Sequence, residues 1–252
     1  MKFPRILLMT LALICSVSAH AAVAFVKCAE NAGTTNSVSF TPTNTGDMLL
    51  AFSATSAGGG SPTATASDNL SDTWTSVQAT VHSGALYMTE YVLPNNPAGI
   101  TTVTFTYNGG TPGQADLAVC EVSGAATSSP VSAHIAQGQS DPGTATNAIT
   151  SGLTTASGYI FGMEVPGAPH STLVSGTGYT QRFQGGTLGT TAEDVTQATS
   201  ASYAATFTDA TNGATNSYST FMTAISAASV TVTPHPVLSN GHPLISNGHP
   251  VD

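Results

Sequence analysis

The sequence predicts an all-β protein: an antiparallel β-sandwich, jelly-roll-like, with a disordered C-terminal tail. Three observations lead there. Beyond residue 22, short runs alternate apolar and polar residues with period two, as half-buried strands do. Clusters of Gly, Asn, Asp and Pro separate these runs at short intervals, as turns do. Charged residues make up only 7% of the chain, while Thr and Ser together supply about a quarter of it, which excludes the Glu-, Lys- and Leu-rich composition of a coiled coil or helical bundle. The chain has 252 residues and is 40% hydrophobic, enough to bury a sizeable core.

The N-terminus predicts an export signal over residues 1–21. Lys2 and Arg5 form a basic start, Ile6 to Val17 is an apolar run, and Ala19-His20-Ala21 fits a small-x-small cleavage site. The run is shorter than the roughly 20 residues a membrane span needs, and no later stretch supplies one. The expected location is therefore secreted, at the cell surface or in the extracellular space, with the periplasm as the alternative. Removal of the signal leaves two cations, Lys27 and Arg182, against 13 carboxylates. So acidic a chain is no nucleic-acid binder.

The predicted strands follow in order. The first half contributes Ala22–Lys27, Ser37–Thr41, Asp47–Ala54, Thr63–Ala66, Thr73–Thr80, Ala85–Leu93, Thr101–Tyr107 and Ala115–Val122. The second contributes Val131–Ala136, Thr144–Ile149, Gly158–Val165, Tyr179–Phe183, Ala192–Gln197, Ser202–Phe207 and Ser217–Ala227. Gly58-Gly59-Gly60 and Asn108-Gly109-Gly110 read as turns between strands. About fifteen strands with no internal linker suit one sandwich domain over residues 22–232, with two smaller sandwiches as the alternative. Ala115–Ala125 and Ser157–Ala168 both end in Glu-Val-x-Gly-Ala, which reads as equivalent strands in two packed sheets.

From His235 the chain repeats HPVLSNG, HPLISNG, HPVD, giving a tail over residues 233–252. A Pro in every repeat and a Gly in the first two exclude a coiled coil and predict an extended or disordered segment. Two cysteines survive signal removal, Cys28 and Cys120. In an exported chain an even count reads as one disulfide, with two buried free thiols as the alternative.

Motifs for nucleophilic, zinc or phosphate chemistry are absent: the chain has no G-x-S-x-G, H-E-x-x-H, C-x-x-C or P-loop. Glu90, Glu121 and Glu164 sit within strands and are the candidate acid and nucleophile or base of a glycan-cleaving enzyme, which needs two carboxyls about 5–10 Å apart. Trp74, Tyr87 and Tyr91 are the candidate ligand-binding residues, because aromatic rings stack on sugars and the two tyrosines share a strand face. Asp68 and Asp72, in Asp-Asn-Leu-Ser-Asp, are candidate Ca²⁺ ligands. His235, His242 and His249 are candidate ligands for a borderline divalent metal, without preorganised geometry. No other cofactor is expected. Glu193-Asp194 reads as a solvated strand edge.

Gly46-Asp47-Met48-Leu49-Leu50, then Asp68-Asn69 to Thr73-Trp74, then Glu121-Val122-Ser123-Gly124 resemble a jelly-roll-type β-sandwich module of secreted bacterial surface proteins. The resemblance covers roughly residues 37–125 and implies fold and location, with no catalytic residue to transfer. The expected function is a non-enzymatic sandwich that binds extracellular carbohydrate or mediates surface adhesion, its partner a polysaccharide or cell-surface component. The alternatives are a secreted glycan-active hydrolase or lyase using the strand glutamates, and a structural subunit that self-associates by edge-strand addition.

Overall fold

The computed structural model describes residues 19–20, 22–33, 35–83, 85–139, 146–155, 158–166, 173–197, 201–209 and 218–230. Among them it holds sixteen strands and no helix. The export-signal segment up to residue 18 and the tail from residue 231, with His235, His242 and His249, lie outside the described residues. The chain divides into two units. One contains a short antiparallel pair, β1 (Ala19–His20) with β16 (Ser229–Val230). The other, Ala21–Ala228, is an antiparallel β-sandwich.

The first half of the sandwich contains β2 (Ala24–Gly33), β3 (Ser37–Ser39), β4 (Met48–Asp68), β5 (Thr75–Ser83), β6 (Leu86–Leu93) and β7 (Thr102–Ser123). These form one sheet in the order β2-β7-β4-β6-β5, with β3 paired to the outer end of β7. The second half contains β8 (Val131–Gln139), β9 (Thr146–Thr155), β10 (Gly158–Pro166), β11 (Leu173–Ser175), β12 (Thr180–Gly185), β13 (Thr190–Gln197), β14 (Ala201–Asp209) and β15 (Tyr218–Ile225). It forms two sheets, β12-β13-β10-β15-β8 and β11-β14-β9.

Two pairs of expected strands are in fact single strands. Asp47–Ala54 and Thr63–Ala66 belong to β4, and Thr101–Tyr107 and Ala115–Val122 belong to β7. The glycines read as turns lie inside the β4–β7 ladder, where the register shifts between Ser56 and Thr63. They bend the ladder without ending it. Gly60 has φ +75°, and a Cβ there would lie 2.5 Å from the Gly109 carbonyl oxygen, so neither the conformation nor the space admits a side chain. The bend folds the outer ends of β4 and β7 back over the inner ones: Tyr107 Oη on the outer part of β7 lies 3.2 Å from Ser53 Oγ on the inner part of β4.

Four layers result, with three apolar spaces between them. The folded-back ribbon covers Leu49, Ala51, Leu117 and Val119 with Ala64, Val103, Phe105 and Trp74. The six-stranded and five-stranded sheets enclose Met48, Leu50, Phe52 and Met88 against Tyr159, Phe161, Met163 and Phe221. Phe52 and Phe161 stack at 5.3 Å between ring centroids, worth roughly 0.5–1.5 kcal/mol beyond their burial. The far sheet closes on Ile160, Met222, Ala205 and Phe207. Alternation along the strands builds all of this: in β4, Leu49 and Ala51 face one space while Leu50 and Phe52 face the next.

The two halves repeat one plan. If β10 corresponds to β4 and β15 to β7, then β12-β13-β10-β15-β8 reproduces β5-β6-β4-β7-β2, and β11-β14-β9 reproduces the outer β4-β7-β3. The irregularities match too. The edge strand β5 shifts register between Ser76 and Gln78, and its counterpart β12 between Gln181 and Phe183. In β2 the shift lies between Phe25 and Lys27, and in β8 it lies between Val131 and Ala133. The sheets stack with β2 beside β12 and β5 beside β8, the arrangement of an approximate two-fold axis.

Cys28 and Cys120 are directly opposite each other on β2 and β7 and are joined by a disulfide, so of the two expectations the bridge holds. It closes a sequence separation of 92 residues. The chain-entropy account gives such a loop roughly 4–5 kcal/mol of stabilisation at most.

Candidate functional site

The three strand glutamates face three different interlayer spaces. Glu90 on β6 shares a face with Met88 and Val92, between the six-stranded and five-stranded sheets. The Thr223 hydroxyl donates to its Oε2 at 2.6 Å, and Oε1 is buried with no hydrogen-bond partner among the described residues. Burial pushes the Glu90 pKa up to about 8, with the Thr223 hydrogen bond pulling the other way. Glu121 points to the opposite side of its sheet, where it accepts the backbone N–H of Thr43 at 2.8 Å and of Asn44 at 2.9 Å. Glu164 on β10 accepts from the Thr220 hydroxyl at 3.3 Å, on the side of the far sheet. All three are almost wholly buried. A glycosidase pair must share one open cleft; this arrangement does not bring any two of them to one.

Other buried carboxylates serve as acceptors for the backbone. Glu193 and Asp194 are buried, not a solvated edge. Neither faces water, because both sides of β13 are covered. Glu193 accepts the N–H of Gly176 at 2.8 Å and of Thr206 at 2.9 Å, which ties the far sheet to its neighbour. Burial pushes its pKa up to about 7 against those two hydrogen bonds. Asp194 pairs with Arg182 and accepts from the Tyr159 hydroxyl. Asp116 accepts the N–H of Thr187 at 2.6 Å, the N–H of Leu188 at 3.0 Å and the Thr190 hydroxyl at 2.8 Å, fixing the turn before β13. With so few lysines and arginines, backbone amides take the role of counter-charge.

The expected aromatic face is also taken up internally. Trp74 is core, and its indole N–H donates to Asp68 Oδ2 at 2.8 Å. Tyr87 and Tyr91 do share a face, but the folded-back end of β4 meets it. The Tyr91 hydroxyl donates to the Ala64 carbonyl at 3.1 Å, and Tyr87 Oη donates to Ser61 Oγ at 3.4 Å. They tie β6 to the folded-back end of β4. Asp68 accepts the N–H of Leu70 at 2.8 Å and of Asp72 at 3.2 Å, so its carboxylate organises a turn. Among the described residues no group of three or more His, Cys, Asp or Glu is placed to hold a metal.

Among the described residues an open concavity lies elsewhere, between the edge strands β5 and β8. It is a groove of about 320 Å³, within the roughly 300–1,000 Å³ of small-molecule sites. Val77, Val92, Pro94, Pro130 and Val131 supply its apolar wall. Thr75, Ser76, Ser129 and the exposed His134 supply its polar one. Among the described residues no carboxylate, Lys or Arg lines it. Nothing in the sequence marked these residues, since valines and prolines at strand ends are ordinary, and the groove arises only when β5 and β8 meet across the two halves. Comparison with known protein families, curated proteins and solved structures finds no match to the chain.

Proposed function

We propose that the chain is an exported, non-catalytic β-sandwich module that binds neutral extracellular glycan in surface adhesion. One observation carries the reading: the glutamates a glycan-cleaving enzyme would use are buried in three separate interlayer spaces, while the described lining of the β5–β8 groove holds no Asp, Glu, Lys or Arg. Binding without cleavage is the chemistry such a surface supports. The export-signal pattern of residues 1–21, the Cys28–Cys120 disulfide and the scarcity of trypsin sites fit life outside the cell. The test is retention of the chain from Ala22 onward on insoluble cellulose, chitin, xylan and starch. Retention on at least one is expected; passage through all four would remove the glycan.

A further inference from the structure

The internal repeat gives the groove a counterpart at the opposite end of the sandwich, and that counterpart is filled. Its three defining positions can be matched residue by residue. Arg182 is the bulge residue of β12, as Val77 is of β5. Asp194 lies opposite Thr180 at the start of β12, as Val92 lies opposite Thr75 at the start of β5. Phe25 precedes the bulge of β2, as Val131 precedes that of β8. At the filled end the Arg182 guanidinium lies 4.2 Å from the centroid of the Phe25 ring, and its Nε sits 2.7 Å from Asp194 Oδ1. The plug is thus a planar cation held by a ring and a carboxylate.

At the other end all three positions are valine, and the space remains open. The charge pattern decides what suits it. A cation would find neither the carboxylate nor the ring that hold Arg182. An anion would find no Lys or Arg among the described lining residues and would approach a chain with 13 acidic residues. A neutral molecule with an apolar face and a hydroxylated rim has partners on both walls. The three valines offer carbon to pack against. Three hydroxyls and an imidazole, which in its neutral form donates at one nitrogen and accepts at the other, offer hydrogen bonds.

We propose that the β5–β8 groove is the glycan-binding site, taking one or two rings of a neutral sugar on Val77, Val92 and Val131, with His134 as a polar anchor. The assignment rests on the glycan-binding reading above and moves it away from Trp74, Tyr87 and Tyr91. The experiment transplants the plug. Val77→Arg with Val92→Asp introduces the residues found at the counterpart positions. His134→Ala removes an exposed side chain from the rim and leaves the core untouched. Trp74→Phe serves as the comparison outside the groove. Retention on cellulose, chitin, xylan and starch is measured for each, with urea unfolding to confirm a folded chain.

The expected result is that retention weakens about tenfold in the plugged variant and several-fold in His134→Ala, with Trp74→Phe unchanged, each tenfold step being about 1.4 kcal/mol. If the parent is retained and both groove variants are retained equally well, the groove assignment falls and the glycan reading stands. If the parent is retained on none of the four, both fall together.

Discussion

Removing the Glu90 carboxyl should change how stability depends on pH. The group is almost wholly buried, accepts the Thr223 hydroxyl at one oxygen while the other has no hydrogen-bond partner among the described residues, and has its pKa raised by burial from 4.5 to about 8. In the unfolded chain it loses its proton near 4.5, while in the folded chain it keeps it until about pH 8. Between those values the folded state binds more protons, so stability falls as pH rises and levels off above about 8. At about 1.4 kcal/mol per pH unit, the window is worth roughly 5 kcal/mol. Glu90→Gln keeps the shape and abolishes this contribution. Its buried amide adds a constant cost of about 1–3 kcal/mol at every pH. Urea midpoints of parent and variant, measured from pH 5 to pH 9, should therefore converge and then cross, with the variant the more stable at pH 9. Glu193 adds a slope of the same sign in both proteins, so the difference isolates Glu90. Parallel midpoints across that range would mean that Glu90 ionises alike in the folded and unfolded chain.

Three further outcomes follow from the same structure. Replacing Cys28 and Cys120 together by Ala should cost about 2–5 kcal/mol of unfolding free energy, read by urea titration, while glycan retention survives below the unfolding transition. Gly60→Ala should cost about 1–3 kcal/mol or more, because the positive φ and the Gly109 carbonyl at 2.5 Å both oppose a Cβ; Gly59→Ala, with open space around it, is the matched control in the same urea series. Trp74→Phe should cost about 1–3 kcal/mol, because it leaves the Asp68 carboxylate without its indole donor, and the loss should show in the thermal midpoint.

Much of the fold was legible because alternation is a local property. Val103, Phe105 and the outward threonines of β7 announce a half-buried strand by themselves. Continuity through the glycines was not legible: Gly58-Gly59-Gly60 and Asn108-Gly109-Gly110 look like turns, and only their pairing with each other shows that the ladder passes through. The repeat was visible in the wrong place. The shared Glu-Val-x-Gly-Ala links β7 to β10, whereas the sheet order makes β4 the counterpart of β10 and β15 that of β7. Short buried strands use so few residue types that such matches arise between non-equivalent strands.

The site was less legible than the fold. Parity places Glu121 and Cys120 on opposite faces of β7, but nothing in the sequence says that both faces are covered. Trp74 was the natural candidate for a sugar platform until Asp68, six residues earlier, proved to hold its indole. Glu193-Asp194 had the look of a solvated edge because two adjacent acids are costly to bury, and their compensation comes from distant partners: the amides of Gly176 and Thr206 for one, Arg182 and Tyr159 for the other. The groove depends on the meeting of two edge strands from different halves, which no local pattern encodes.

As proposed above, the chain binds glycan without cutting it. The most direct measurement incubates the chain from Ala22 onward, and its Glu90→Gln variant, with cellulose, chitin, xylan and starch, and assays soluble sugar in the supernatant alongside bound protein. The expected result is bound protein on at least one polysaccharide and no released sugar from either chain. Sugar released by the parent and abolished by Glu90→Gln would contradict it, and would make the buried acid beside Thr223 part of a catalytic site.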